Sequence, residues 1–576
     1  MHTFRVWAPN AESVDLVLRD GRLPLHQAGA WWVRDVVEAH HGTDYAFTVD
    51  GSEPLPDPRS AWQPDGVHGF SRVFDEHRFR WTDGDWAGRD VRGSVFYELH
   101  IGTFTEQGTL DAATEHLDYL VLLGVEVVSL MPVAAFPGRH GWGYDGVHLY
   151  AVHEPYGGPE ALQRFVNRCH EVGLAVCLDV VYNHLGPSGN RLGEFGPYFT
   201  DRHTTPWGPA VNLDDTGSAE VRRWICDNAL RWFRAFHIDA LRLDAVHALA
   251  DDSPTHLLAQ LSSETADLSE QLGRPLGLVA ESDLNDARMV EPVSEGGLGM
   301  TAQWSDDFHH ALHTLLTGER AGYYVDFGDP GVFAKTLTQV FFHDGSYSTF
   351  RGKDWGRPVD PARHRGGEFL AYTSNHDQVG NRALGDRPAL TPGQLAIGAA
   401  LVITSPYTPM LFMGEEWGAS TPWRFFTDHE EPELAEAVRT GRRREFADHG
   451  WDADEIPDPQ DPETWHSSVL DWTELDESPH RELLAWYRDL LALRARTPEL
   501  RDDRLSSVGI AYDADGDWIV VTRGSVRIVV NLAAGEAVVP VDGGLSHELL
   551  TFGTAAAVTD GVRLSAHAVS LRTSSI

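Results

Sequence analysis

The sequence predicts an α/β chain: a (β/α)8 TIM barrel with an N-terminal β-sandwich and a C-terminal all-β domain. Three observations predict it. Short apolar/polar alternations fill the opening stretch, eight strand-length apolar runs then alternate with helical patterns, and short alternating strands return near the end.

The first stretch holds TFRVWAP, SVDLVLRD, WWVRDVV and DYAFTVDG, separated by turn residues, the pattern of a sandwich. We place this domain at residues 1–90, ending in the connection WTDGDWAGRD. From Ser94 the rhythm changes. The runs SVFYEL, VEVVSLMPV, LAVCLDVVYN, IDALRLD, LGLVAE, MTAQW, FLAYTSN and TPMLFMG are nearly continuous in apolar residues, as strands buried on both faces must be. Between them lie helical patterns such as PEALQRFVNRCHEVG and AEVRRWICDNALRWFRAFH. A closed barrel with long insertions over residues 91–504 follows. An open doubly wound sheet is the alternative, but no GxGxxG turn follows the first strand. After HRELLAWYRDLLALRAR, the strands SVGIAYD, WIVVTRG, VRIVVNL, AVVPVDG, HELLTFG and AVSLRTS make a second β domain at 505–576.

The 576 residues carry Lys+Arg 46 against Asp+Glu 86, a net charge of −40. Such a surface repels phosphate backbones and anionic lipid, so neither nucleic acid nor membrane is an expected partner. Lysine occurs only at Lys335 and Lys353, which we read as base-composition bias. Cys169, Cys177 and Cys226 lack CxxC spacing and suit neither a disulfide framework nor structural zinc. The opening MHTFRVWAPNAESVDL has no charged region ahead of an apolar core. The most apolar stretch, Leu395 to Met413, is broken by Ser405, Pro406 and Pro409 and reads as a buried helix and strand. A cytoplasmic location is expected.

Barrel enzymes place chemistry at the C-terminal ends of their strands. Four ends here carry acids: Asp179-Val-Val-Tyr-Asn183-His184, Arg242-Leu-Asp244, Glu281-Ser-Asp283 and Asn375-His376-Asp377. A lone Asp at a strand end is usually a helix cap or turn residue. Independent caps would not bring His184, Arg242 and His376 along. Carboxylates with Arg and His suit glycoside hydrolysis, in which one carboxylate attacks the anomeric carbon and one carboxylic acid protonates the leaving oxygen. Arg242 shares the face of Asp244 and can orient it. A catalytic metal is the weaker reading, since no HExxH occurs, and no cofactor is expected. Sugar rings stack on aromatic faces, and Trp142, Tyr144, Trp207, Trp417, Trp423, Phe425 and Phe426 flank strand ends.

DVVYNH, ALRLDAVH, VAES and SNHDQ resemble the four signature regions of the α-amylase superfamily of glycoside hydrolases, in the right order. The resemblance implies a retaining α-glucan-active enzyme without a cofactor. It makes Asp244 the nucleophile, Glu281 the general acid/base and Asp377 the third carboxylate. It makes Arg242, His184 and His376 partners of the sugar at the cleavage point, Tyr144 the platform beneath it, and Asp179 a structural carboxylate. Asn183 takes a position where calcium often binds in α-amylases, without a full ligand set. His247 and Ala248 stand where liquefying α-amylases carry Lys-His, which points to another leaving group. GWGYDGVHLYAVHEPYGGP, WSDDFHHALHTLLTGERAGYY and EWGASTPWRFFTDHE are similar to the maltooligosyltrehalose trehalohydrolases, a subfamily that also has an N-terminal sandwich. This implies maltooligosyl trehalose as substrate and trehalose as product. Trp423, Phe425, Phe426, Asp428 and His429, with help from His247, are the expected binding residues on the leaving side, and Trp207 is a further expected substrate-binding aromatic. A branching or debranching enzyme, or an inactive glucan-binding protein, is the alternative.

Overall fold

The computed structural model describes residues 1–205, 208–447, 455–541 and 547–574. Its centre is a closed barrel of parallel strands in sequential order. These are β1 (Phe96–Leu99), β2 (Val127–Leu130), β3 (Ala175–Val180), β4 (Ala240–Leu243), β5 (Gly277–Ala280), β6 (Ala302–Trp304), β7 (Phe369–Ala371) and β8 (Thr408–Phe412). Every residue of all eight is buried, which is why the runs are continuously apolar and do not alternate.

Side chains still alternate between the barrel interior and the surrounding helices. Phe96, Val127, Cys177, Ala240, Val279, Ala302, Leu370 and Met410 fill the interior as one cluster. Two residues further along the same faces come Glu98, Asp179, Arg242, Trp304 and Tyr372, so the interior changes from apolar to polar at the strand ends. The parallel register opposes Asp179 to Arg242 across β3 and β4, and Arg242 to Val279 across β4 and β5.

The helices around the barrel differ in how much they bury. Ser218–Ala235 turns Val221, Trp224, Ile225, Ala229, Trp232 and Phe233 inward, at three- and four-residue spacing. The expected buried helix and strand near Leu395 are Pro392–Ile403 and β8. No helix among the described residues is long and apolar enough to cross a membrane.

Ahead of the barrel, two antiparallel sheets face each other. One joins His2–Trp7, Trp31–Val36 and His26–Ala28; the other joins Gly21–Pro24, Val14–Leu18, Asp44–Val49 and Ser71–Arg72. Behind it, a five-stranded sheet built on Val508–Tyr512, Trp518–Arg523, Val526–Asn531, Ala568–Thr573 and His547–Phe552 packs with a three-stranded one. Two strands of the latter, Ala555–Val558 and Gly561–Leu564, are additions to the expected set.

Candidate active site

Arg242 is the centre of the site. It is buried, and its guanidinium lies 4.4 Å over the Trp304 ring. Nη1 donates to Asp179 Oδ2 and to Asp244 Oδ1, both at 2.8 Å, and Nη2 lies 3.1 Å from Glu281 Oε2. One cation thus holds carboxylates from three adjacent strand ends. Arg242 reaches Asp244 because the two share one face of the strand. Asn183 adds a second restraint, its Nδ2 donating to the carbonyl and to Oδ2 of Asp244 at 2.8 Å each. The residue noted as a calcium position therefore serves Asp244 directly.

Glu281 sits beside this cluster and accepts from the Ala245 N–H at 2.6 Å. Ala245 holds a left-handed φ of 37°, an unfavourable conformation for a residue with a Cβ, so backbone strain aims a donor at Glu281. Burial pushes the Glu281 carboxyl up to about 8, with Asp244 and Asp377 adding and Arg242 opposing. Burial likewise raises Asp179 to about 7, against Arg242.

The other wall comes from β7 and β1. Asn375 caps the helix His376–Gly380, its side chain accepting from the backbone of Asp377 and Gln378. The cap is thus Asn375; the Asp377 carboxylate, 38% exposed, lies 3.5 Å from His376 Nε2 and accepts from Asn381 Nδ2 at 3.2 Å. His376 is anchored by Glu98, which accepts from its backbone N–H at 2.9 Å and meets Nδ1 at 2.8 Å. Burial opposes charge on this ring, but Asp377 and Glu98 outweigh it and push His376 up to about 9. Protonated, its Nε2 can donate to the Tyr144 hydroxyl, 2.8 Å away, which in turn donates to Asp179 at 2.9 Å. Tyr144 stacks on His376 with ring centroids 5.2 Å apart. Gly143 makes this loop possible: at its φ of 98° a Cβ would lie 2.4 Å from Pro132 O. His184 closes the side, Nε2 meeting the Tyr144 carbonyl at 3.1 Å.

The loop after β8 departs from expectation. Trp423 is 0% exposed and Phe426 1%, so neither presents a face to a ligand. Trp423 instead stacks on Trp142, centroids 5.2 Å apart, and Trp142 and Trp417 are also core. An apolar ring in a polar loop bought packing here, and sequence does not tell the two uses apart. Asp428 caps the Arg139 N–H at 2.7 Å, and His429 packs beside Asp145. His429 thereby sits next to the residue that follows Tyr144. Trp207 lies outside the described residues.

On the Glu281 side, His247 and Asp283, both singled out in the sequence, meet Arg351 and Trp355, which sequence reading missed along with Phe350. Asp283 binds Arg351 Nη1 at 2.9 Å, and its carbonyl accepts from Trp355 Nε1 at 2.7 Å. His247 Nδ1 is 3.8 Å from Asp283 Oδ1. Phe350 is 55% exposed and meets Tyr323 at 6.0 Å between centroids. Burial raises the Tyr323 hydroxyl, against a hydrogen bond with Tyr324. STFRGKDW lies far in sequence from any barrel strand end, so only the fold reveals it. Glu98 was missed although it is the penultimate residue of β1, where the strand-end rule applies.

His203, Asp214 and Asp252 could offer ligand atoms within 4.8 Å of one another. Arg202 already lies against that group, 3.4 Å from Asp252 and 3.9 Å from Asp214, in the electrostatic place of a cation.

A closed parallel barrel with paired carboxylates around one buried arginine at its strand ends defines a glycoside hydrolase of the α-amylase type. The α-amylase catalytic-domain family model matches residues 74–194, and a domain of unknown function, DUF3459, matches 503–571. A malto-oligosyltrehalose trehalohydrolase from Arthrobacter ramosus is 52% identical over 97% of both chains, and one from Saccharolobus solfataricus 44% identical over 85% of both. A crystal structure from Salmonella typhimurium superposes with a TM-score of 0.91 at 36% identity, covering 99% of this chain and 97% of that one. The chain belongs to the malto-oligosyltrehalose trehalohydrolase family.

Proposed function

We propose that this enzyme hydrolyses the α-1,4-glucosidic bond next to the terminal trehalose of a maltooligosyl trehalose, releasing trehalose and a maltooligosaccharide. The relatives' names point to the substrate; the observation that carries the chemistry is Arg242 joined to Asp179, Asp244 and Glu281. In this reading Asp244, held by Arg242 and Asn183, attacks the anomeric carbon. Glu281, kept protonated by burial, gives its proton to the leaving trehalose oxygen. The C–O bond to trehalose breaks as the bond to Asp244 forms. Glu281, now a carboxylate, takes a proton from water, whose oxygen displaces Asp244 and regenerates both groups. Asp377 and His376 bind hydroxyls of the reacting sugar, and Tyr144 lies beneath its ring. Two displacements retain the anomeric configuration.

Recognition of trehalose falls to Tyr323, Phe350, Arg351 and His247, on the side from which Glu281 protonates. The division into 1–90, 91–504 and 505–576 belongs to the same reading, as does a cytoplasmic location, in keeping with three buried, unpaired cysteines. Product analysis on maltotriosyltrehalose tests it. Trehalose and maltotriose are the expected products; glucose or maltose from the trehalose end would refute it.

A further inference from the structure

The hairpin that carries Phe350 and Arg351 has little of its own to hold it in place. Its strands, Ser346–Ser348 and Lys353–Trp355, form a two-stranded antiparallel sheet by themselves. Ser348 is buried, but Tyr347, Lys353 and Asp354 face solvent and Phe350 at the tip is exposed. An isolated hairpin is marginal in water. Its position over the site must therefore be set by ties to its neighbours.

The base is pinned by two buried polar side chains that the reaction does not use. Asp307 lies in the first turn of the helix Asp306–Thr317, after β6, and Asn285 lies in the loop after β5. Asp307 Oδ2 accepts from the N–H groups of Phe342 at 2.8 Å and His343 at 3.0 Å, and from Asn285 Nδ2 at 2.9 Å. The same Nδ2 donates to the His343 carbonyl at 3.0 Å, and the Asn285 carbonyl accepts from the Arg357 N–H at 2.9 Å. The chain thus enters the hairpin at His343 and leaves it at Arg357 against one pair of residues. Asn285 holds a φ of 51°, a left-handed conformation that Asn tolerates better than most side chains. Gly356 closes the base: at its φ of 76° a Cβ would lie 1.9 Å from His343 O. Nearer the tip, Asp326 accepts from the Thr349 N–H at 2.7 Å, which joins the residue before Phe350 to the loop of Tyr323.

A buried carboxylate oxygen that takes three N–H bonds is a stiff joint, because its removal leaves three donors without an acceptor. Burial pushes the Asp307 carboxyl up to about 7, and the His343 and Phe342 N–H groups oppose that rise. An acid in the first turn of a helix also steadies the helix dipole. That plainer role does not account for the bonds, since the donors belong to the β5 loop and the hairpin base and none to the helix. We propose that Asp307, with Asn285, is a positioning residue for the leaving group: it clamps the base of the Phe350–Arg351 hairpin and so sets selectivity for trehalose without touching the sugar. This rests on the reading above, in which the hairpin meets trehalose.

The test compares Asp307→Ala and Asn285→Gly with Asp307→Asn. Asparagine keeps an oxygen that can accept, and glycine keeps the left-handed backbone while removing only the amide. Hydrogen exchange of residues 342–357, followed by mass spectrometry, reads the clamp; kcat and KM on maltosyltrehalose and maltotetraose read its effect. Asp307→Ala and Asn285→Gly should both exchange faster there than wild type. Each should raise KM for maltosyltrehalose about tenfold, with kcat and the maltotetraose constants changed by less than about twofold. Asp307→Asn should restore most of both readings. Phe350→Ala added to Asp307→Ala should cost little more, since the clamp acts through that side chain. Equal losses on the two substrates, or losses that add to those of Phe350→Ala, would leave Asp307 a structural residue and overturn the proposal. Unchanged exchange would overturn it whatever the substrates do. If Asp307→Ala does not fold, Asn285→Gly carries the same comparison. If wild type shows no preference for maltosyltrehalose, the parent reading fails, and the exchange rates still judge the clamp.

Discussion

Glu281→Gln should produce an enzyme that is dead yet more stable than wild type at neutral pH. In the folded protein burial raises this carboxyl to about 8 from an ordinary 4.5. The folded state therefore keeps a proton that the unfolded chain gives up, and folding must take it back from solvent. Stability then falls as pH rises from about 4.5 to about 8, by about 1.4 kcal/mol per unit. At pH 7 the cost is about 3 kcal/mol, and with the side chain only 20% exposed solvent screens little of it. Glutamine has no proton to recover and keeps a donor in the same place. Urea unfolding of both proteins at pH 4.5, 6 and 7.5 is the assay. The curves should coincide at the acid end and separate in favour of Gln as pH rises. Coincidence at every pH would mean that folded Glu281 is ionised, and its assignment as the acid would fall. The same proton sets activity: kcat/KM of wild type should decline above about pH 8.

The remaining predictions concern role and place. Asp244→Asn and Asp377→Asn should each fold normally, by circular dichroism, and lose on the order of 10³-fold in kcat; more than about a tenth of wild-type kcat in Asp244→Asn would remove it as nucleophile. Proton NMR of early turnover should show the α-anomer at the new reducing end, and first appearance of the β-anomer would exclude the double displacement. Phe350→Ala should lower kcat/KM on maltosyltrehalose more than on maltotetraose. Trp423→Ala should cost about 3–5 kcal/mol of stability, as loss of a buried Trp does, with no preference between those substrates.

The barrel was legible in sequence because burial on both faces writes a strand as an unbroken apolar run, and each expected run is a strand. The cluster of Asp179, Arg242, Asp244 and Glu281 was legible for a related reason: each residue lies within a few positions of a strand end, so local order places it. The leaving side was not. Trp423 and Phe426 look like sugar platforms in sequence, but whether a ring faces ligand or core depends on Trp142, nearly three hundred residues away. Arg351 reaches the site through Asp283, across a long insertion. Glu98 shows a third kind of miss, a residue at the right address whose partner, His376, is 278 residues distant.

That last pairing ties catalysis to the final stage of assembly. Glu98 belongs to the first barrel strand made on the ribosome and His376 follows the seventh, and the two meet only when β8 has slotted between their strands. Arg242 needs β3, β4 and β5 in register by one residue, since a slip would turn its guanidinium outward. An open sheet with seven strands in place could bind water and bury much of its core, yet it would lack the charged histidine and could not cleave a glucan. Enzymatic turnover during refolding is therefore a clock for ring closure, and it should start after most of the helical signal has already returned.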